Sequence, residues 1–180
     1  MRRVIVSNVA SLDGFFETPD KKLDWVVTDA EFFDYAKAML RAADTLLFGR
    51  ATYEHMANYW PTAPVDEIAE KMNNLPKLVF SRTLQKVTWN NSRLARENPQ
   101  EEVSKLKIQS GRDIVVLGSA TVASSLLLAG LVDEYRMILQ PVLIGRGNPL
   151  FKDITERMQL KLIGARTFGS GVVLMSYQRA

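Results

Sequence analysis

A chain of 180 residues with 47% apolar and 24% charged side chains has the size and balance of one globular domain with a self-sufficient core. Zero cysteines exclude disulfides, thiolate catalysis and thiolate metal sites, and the single histidine, His55, cannot make a histidine-rich centre, so no metal is expected. With 23 Lys and Arg against 20 Asp and Glu, the net charge of +3 comes without a block of like charge for nucleic acid, and no apolar run approaches the roughly 20 residues that span a bilayer.

Met1-Arg2-Arg3 and the short Val-Ile-Val run after it lack the apolar length and small-residue cleavage site of a secretory signal, so a cytoplasmic protein is expected. Arg2 to Ala10 is β-branched and apolar and reads as a buried first strand, broken by Ser11-Leu12-Asp13-Gly14. Asp13 either bonds its own turn or sets a carboxylate at the mouth of a cleft beyond the strand's C-terminal end. Glu17 to Lys22 is a polar loop ending at Asp24-Trp25, where the indole is either a packing anchor or one wall of a flat-ligand pocket. Thr28-Asp29-Ala30-Glu31 supplies a cap and early acids for a helix whose Phe32, Phe33, Ala36, Met39 and Leu40 share a buried face.

Asp44 to Phe48 is a second strand running into Gly49-Arg50-Ala51-Thr52-Tyr53-Glu54, a strand, glycine, helix arrangement. There Gly49 permits a tight turn, Thr52 offers a hydroxyl and Arg50 a permanent cation. Pro61 and Pro64 stop that helix, and Val65 to Asn74 forms another. Pro76 to Phe80 is a third strand, followed by Ser81-Arg82, again a hydroxyl and an arginine at a strand end. Lys86 to Trp89 reads as a short strand, Asn90 to Asn98 as a loop and Pro99 to Gln109 as a helix.

The stretch around which the rest is arranged is Asp113 to Phe151. It holds the strand Asp113 to Leu117, the small-residue turn Gly118-Ser119-Ala120-Thr121, a helix ended by Gly130, and a long apolar strand from Val132 to Leu143. A strand feeding a helix through such a turn leaves helix N-terminal amides open to a phosphate. Gly145-Arg146-Gly147 reads as a turn, and Arg157 to Arg166 pairs with Val172 to Arg179 through Gly169-Ser170-Gly171 as a terminal hairpin. Strand and helix alternate early and antiparallel strands close the chain, so the expected fold is α/β: a mixed, mainly parallel sheet with helices on both faces. Four strand ends, Asp13-Gly14, Gly49-Arg50, Ser81-Arg82 and Gly118-Ser119, then line one edge.

These motifs, in this order and spacing and together with Leu150-Phe151, cover nearly the whole chain, which resembles the dihydrofolate reductase-like superfamily. Within it the nearest branch is that of the reductase domain of bacterial riboflavin biosynthesis. The resemblance implies a single three-layer α/β/α domain over residues 1–180, binding NADPH across the strand ends. Gly49, Arg50, Thr52, Ser81 and Arg82 correspond to the adenosine phosphate end, with the arginines favouring NADPH over NADH. Gly118, Ser119, Ala120 and Thr121 correspond to the pyrophosphate turn, and Ala10 lies at the nicotinamide. Asp13 and Asp29 are the implied catalytic carboxylates, with Asp24 and Trp25 at the substrate. Gly118-Ser119 stands where dihydrofolate reductases carry Gly-Gly, and Val116 where the riboflavin-pathway reductases usually carry an acid. The implied reaction is hydride transfer to a small planar heterocycle, a pyrimidine or a pterin. A nucleotide-binding module without turnover, or a flavin enzyme holding FMN, are the alternatives. A small-molecule substrate is expected, with neither nucleic acid nor membrane as partner, and the long strand and terminal hairpin suggest a homodimer.

Overall fold

The computed structural model describes residues 1–151 and 153–180. Eight strands form one sheet in the order β5-β4-β3-β6-β1-β7-β10-β9. They are β1 (Val4–Ser11), β3 (Ala43–Gly49), β4 (Lys77–Phe80), β5 (Ser92–Leu94), β6 (Asp113–Leu117), β7 (Glu134–Gln140), β9 (Leu160–Thr167) and β10 (Val173–Arg179). The first six in sheet order are mutually parallel, and β10 runs antiparallel to both β7 and β9. This is the mixed, mainly parallel sheet with a C-terminal hairpin that the residue pattern predicts.

Alternation along the central strands divides the core in two. Ile5, Phe48 and Val115 face α1 (Ala30–Ala42), α2 (Arg50–Tyr59) and α3 (Glu67–Asn74), whereas Val4, Val6, Leu47, Ile114 and Val116 share a second layer with residues of α4 (Pro99–Lys107) and α5 (Ala120–Leu128). Asp29 caps α1 by accepting from the Phe32 amide at 2.7 Å, and Asp66 and Asn98 do the same for α3 and α4. Among the described residues no helix is long and apolar enough to cross a membrane.

Four expectations about elements are corrected. Phe33 is 42% exposed and Tyr35 takes the inward place, because the α1 face turns with Phe32, Tyr35 and Met39. Lys86 to Trp89 is not a strand: Trp89 is inserted into the core against Phe48 and Tyr53, and the chain adds β5 only at Ser92–Leu94. The long strand from Val132 to Leu143 is confined to Glu134–Gln140. Glu17, placed at the start of a polar loop, instead ends β2 (Phe15–Glu17), paired with β8 (Asn148–Pro149) in a small second sheet. That pairing joins segments far apart in sequence, which local patterning does not reveal.

Candidate active site

Parallel pairing brings the C-terminal ends of β1, β3, β4 and β6 to one edge, and the sheet order makes β3 and β6 neighbours. The two glycine turns consequently interlock. A side chain at Gly49 would collide with Ser119 Oγ and lie 2.8 Å from Ser119 Cβ, and one at Gly118 would lie 2.7 Å from Thr52 Oγ1 and 2.8 Å from Thr52 Cγ2. Gly118 itself has φ +64°, and Ser119 follows in the left-handed region at φ 52° and ψ 81°. The Ser119 amide donates to Thr52 Oγ1 at 3.1 Å, and Ser119 Oγ caps α5 by accepting from the Val122 amide at 3.3 Å.

The N-terminus of α2 carries neither a side-chain cap nor an acidic residue in its first turn, so its leading amides and positive dipole end are open to an anion. Arg50 stands there, exposed and, among the described residues, paired with Glu54 at 3.2 Å, an i,i+4 surface pair of little strength that an anionic ligand can displace. Ser81, beyond the neighbouring β4, accepts from the Thr83 and Leu84 amides at 3.1 and 3.0 Å, which fixes the turn that presents exposed Arg82.

Beneath these turns, between the sheet and α1, α2 and α3, lies a cavity of about 400 Å³. Ala51, Thr52 and Gly118 from the two interlocked turns form part of its lining, as do Ser7 and Val9 of β1, Leu117 of β6 and Ile138 of β7. Phe16 and Glu17 of β2 and Lys21, Leu23 and Val26 of the following loop close another side. Fully buried Gln140 pins that loop by accepting from the Val27 amide at 2.9 Å. Ser7 Oγ and Tyr35 Oη lie 2.9 Å apart as a buried hydroxyl pair, and burial raises the Tyr35 hydroxyl above its ordinary value, so it stays protonated. Arg136 lies 6.0 Å from the Tyr35 ring, and a chain of ion pairs runs from it through Glu134 at 2.7 Å to Arg3 and Asp113 at the surface.

Of the carboxylates expected at the substrate, none lines this cavity. Asp13 is exposed and accepts from Ser11 Oγ at 2.6 Å, the Gly145 amide at 2.7 Å and the Ile144 amide at 3.2 Å. The Ser11 hydroxyl first, then those amides, hold its carboxyl below the usual range, and through these bonds it clasps two loops together. Asp29 caps α1 and also accepts from the Ser170 amide at 3.3 Å, tying the helix to the terminal hairpin; Ser170 and the Phe32 amide lower its carboxyl as well. Asp24 is exposed, and Trp25 turns its indole N–H to the Lys22 carbonyl at 3.2 Å, while their neighbours Leu23 and Val26 meet the cavity. Ala10 packs its side chain in the opposite core layer and presents only backbone to the strand-end edge.

Residues that sequence reasoning did not single out for the site are Ser7, Tyr35, Met56 and Trp60, and His55 reaches the cavity as well. The available signals were weak: a hydroxyl in an otherwise apolar strand, and a tyrosine three residues after Phe32 on one helix face.

Comparison with known proteins follows the same lines. Residues 2–174 match the family model described as the RibD C-terminal domain. The protein YyaP of Bacillus subtilis (strain 168), itself uncharacterized, is 36% identical over 182 residues, covering 98% of this chain and 94% of the relative. Among solved structures, a protein ascribed to riboflavin biosynthesis from Shewanella sp. PV-4 superposes with a TM-score of 0.78 at 21% identity, covering 99% of each chain. The diaminohydroxyphosphoribosylaminopyrimidine deaminase/5-amino-6-(5-phosphoribosylamino)uracil reductase of Thermotoga maritima gives 0.72 at 16% identity, with 99% of this chain covering 57% of that one.

Proposed function

The chain belongs to the RibD C-terminal domain family, and on that premise we propose that it is an NADPH-dependent reductase delivering a hydride to a small planar heterocycle, of pyrimidine or pterin kind. The observation that carries this reading is the interlock of Gly49 with Ser119 and Gly118 with Thr52. It sets two helix N-termini side by side at the mouth of one cavity. The cradle fits a dinucleotide because backbone replaces side chains where a pyrophosphate must approach closely. Gly118, Ser119, Ala120 and Thr121 would hold the pyrophosphate, and Gly49, Thr52 and Ser81 would border the adenosine end. Arg50 and Arg82 would meet the 2′-phosphate through planar, charge-assisted bonds. When bound, the nicotinamide supplies the hydride; the protein supplies position and an apolar surround.

Isothermal titration with NADPH and NADH tests the reading: NADPH is expected to bind the more tightly, and absence of heat with either would remove it. Because a hydrogen bond to a charged group contributes about 1.5–3 kcal/mol, Arg50→Ala is expected to weaken NADPH at least about tenfold while leaving NADH nearly unchanged. An unaltered preference for NADPH would take Arg50 out of the cofactor site.

We also propose a homodimer formed along β9. This strand ends the sheet, all eight of its residues are exposed, and Leu160, Leu162 and Ile163 are among them. An unpaired edge carrying apolar side chains invites a second strand. Light scattering is expected to give particles of twice 20.3 kDa, shifting to the monomer in Leu162→Lys. Wild-type particles of the monomer mass would end the proposal.

A further inference from the structure

The cavity is nearly free of charge in its interior. Besides Tyr35, its titratable lining residues are Glu17, Lys21 and His55, and Glu17 already accepts from Asn148 at 2.6 Å. The walls contributed by α1, α2, α3 and the turn between the latter two are Phe32, Met39, Met56, Trp60, Ile68 and Met72. The Trp60 indole N–H is directed to the Met56 sulfur at 3.1 Å and is not offered to a ligand. Arg136, the cation beside Tyr35, is paired with Glu134 and is not among the residues lining the cavity. Lys21, the lining cation, is exposed on the loop after β2; a phosphate or carboxylate placed deeper, among the helix walls, would shed its hydration without a counter-charge beside it.

Ser7 and Tyr35 supply the polar contact. A pair of hydroxyls has two protons, and their mutual bond uses one. The other is offered at best to the Met39 thioether at 3.5 Å, a weak acceptor that a ligand carbonyl would outcompete. The volume of about 400 Å³ falls in the small-molecule range of about 300–1,000 Å³.

We propose that this chamber takes an uncharged, planar, largely apolar ring whose carbonyl oxygen accepts from the Ser7–Tyr35 hydroxyl pair, and that it rejects rings bearing a phosphate or another fixed anion. That the ring is a substrate rests on the reductase reading; that it binds does not.

The test is calorimetric titration of the full chain with 2-methyl-1,4-naphthoquinone, with 1,4-naphthoquinone-2-sulfonate and with uridine 5′-monophosphate, alongside NADPH. The neutral quinone is expected to bind at least about tenfold more tightly than either the sulfonate or the nucleotide, because desolvating an unpaired anion opposes binding. Tyr35→Phe is expected to weaken the neutral quinone about three- to tenfold, the loss of one neutral hydrogen bond, and to lower the melting temperature because buried Ser7 Oγ loses its hydroxyl partner. Ala36→Phe, which fills the chamber from α1, is expected to abolish quinone binding. Equal or tighter binding of the sulfonate or the nucleotide, no binding of the neutral quinone, or quinone affinity indifferent to both variants would overturn the proposal. Quinone discrimination without NADPH binding would sustain the chamber and remove the reductase reading. NADPH binding with preference for the anion would do the reverse.

Discussion

Gly118→Ala is expected to lower stability by about 2–4 kcal/mol and to weaken NADPH binding at least about tenfold. Two costs add. An alanine held at φ +64° carries the left-handed penalty of about 1–2 kcal/mol, and its Cβ would sit 2.7 Å from Thr52 Oγ1 and 2.8 Å from Cγ2. Thr52 cannot yield freely, since its hydroxyl accepts the Ser119 amide that joins the two turns. Displacing either turn moves both helix N-termini away from the shared mouth. For a chain of this size, each kcal/mol shifts the melting temperature by about 2–4 °C, so a fall of roughly 4–16 °C is expected by calorimetry. Adding Thr52→Ala should restore part of the stability by removing the clash while leaving the dihedral penalty, a coupling that a double-mutant cycle measures. Melting and NADPH affinity unchanged in Gly118→Ala would show that the turns do not interlock as described.

Lys77→Met is expected to destabilise the protein by about 2–3 kcal/mol at neutral pH, read from urea midpoints. Lys77 is 2% exposed on β4, where its ammonium donates to the Leu75, Asn90 and Asn73 carbonyls at 2.7, 2.9 and 3.0 Å and lies 4.5 Å from the Trp89 ring centroid. Methionine matches its length but leaves those carbonyls without the donor, together with the end of α3 and the turn at Asn90 that they anchor. Burial pulls the Lys77 ammonium from 10.5 down to about 8. From about pH 8 to 10.5 the folded chain has therefore shed a proton that the unfolded chain still holds, so this residue makes stability rise with pH in that window. Allowing for partial solvation of the ammonium, the rise between pH 8 and 9.5 is about 1 kcal/mol, present in the wild type and absent from Lys77→Met. A constant difference between the two proteins across that range would place the Lys77 pKa elsewhere.

Much of the fold is legible residue by residue. Asp29 opens α1, Gly49 and Gly118 end strands, and the doubly buried β3 and β6 read as uninterrupted apolar runs. Each signal is local, since a cap, a tight turn or a strand is selected within a few residues by sterics and backbone hydrogen bonding. The strand ends also read as a common edge, because parallel strands joined by helices must place their C-terminal ends together. The carboxylates were harder. Asp13 and Asp29 have the residue type of catalytic groups, and what occupies them comes from Gly145 and Ser170, segments remote in sequence.

The sequence by itself thus determined the α/β class, the glycine turns and the family, all of which depend on residue type and spacing. Tertiary structure decided which turns meet, since the 3-6-1 adjacency of the central strands is settled only when distant segments pair. It also decided which side of β1 faces the cavity: the register that buries Val6 and Ala10 against one layer turns Ser7 and Val9 toward α1. The apolar chamber and its hydroxyl pair follow from that parity, because a strand offers alternate side chains to opposite faces and only the packed helices give either face its walls.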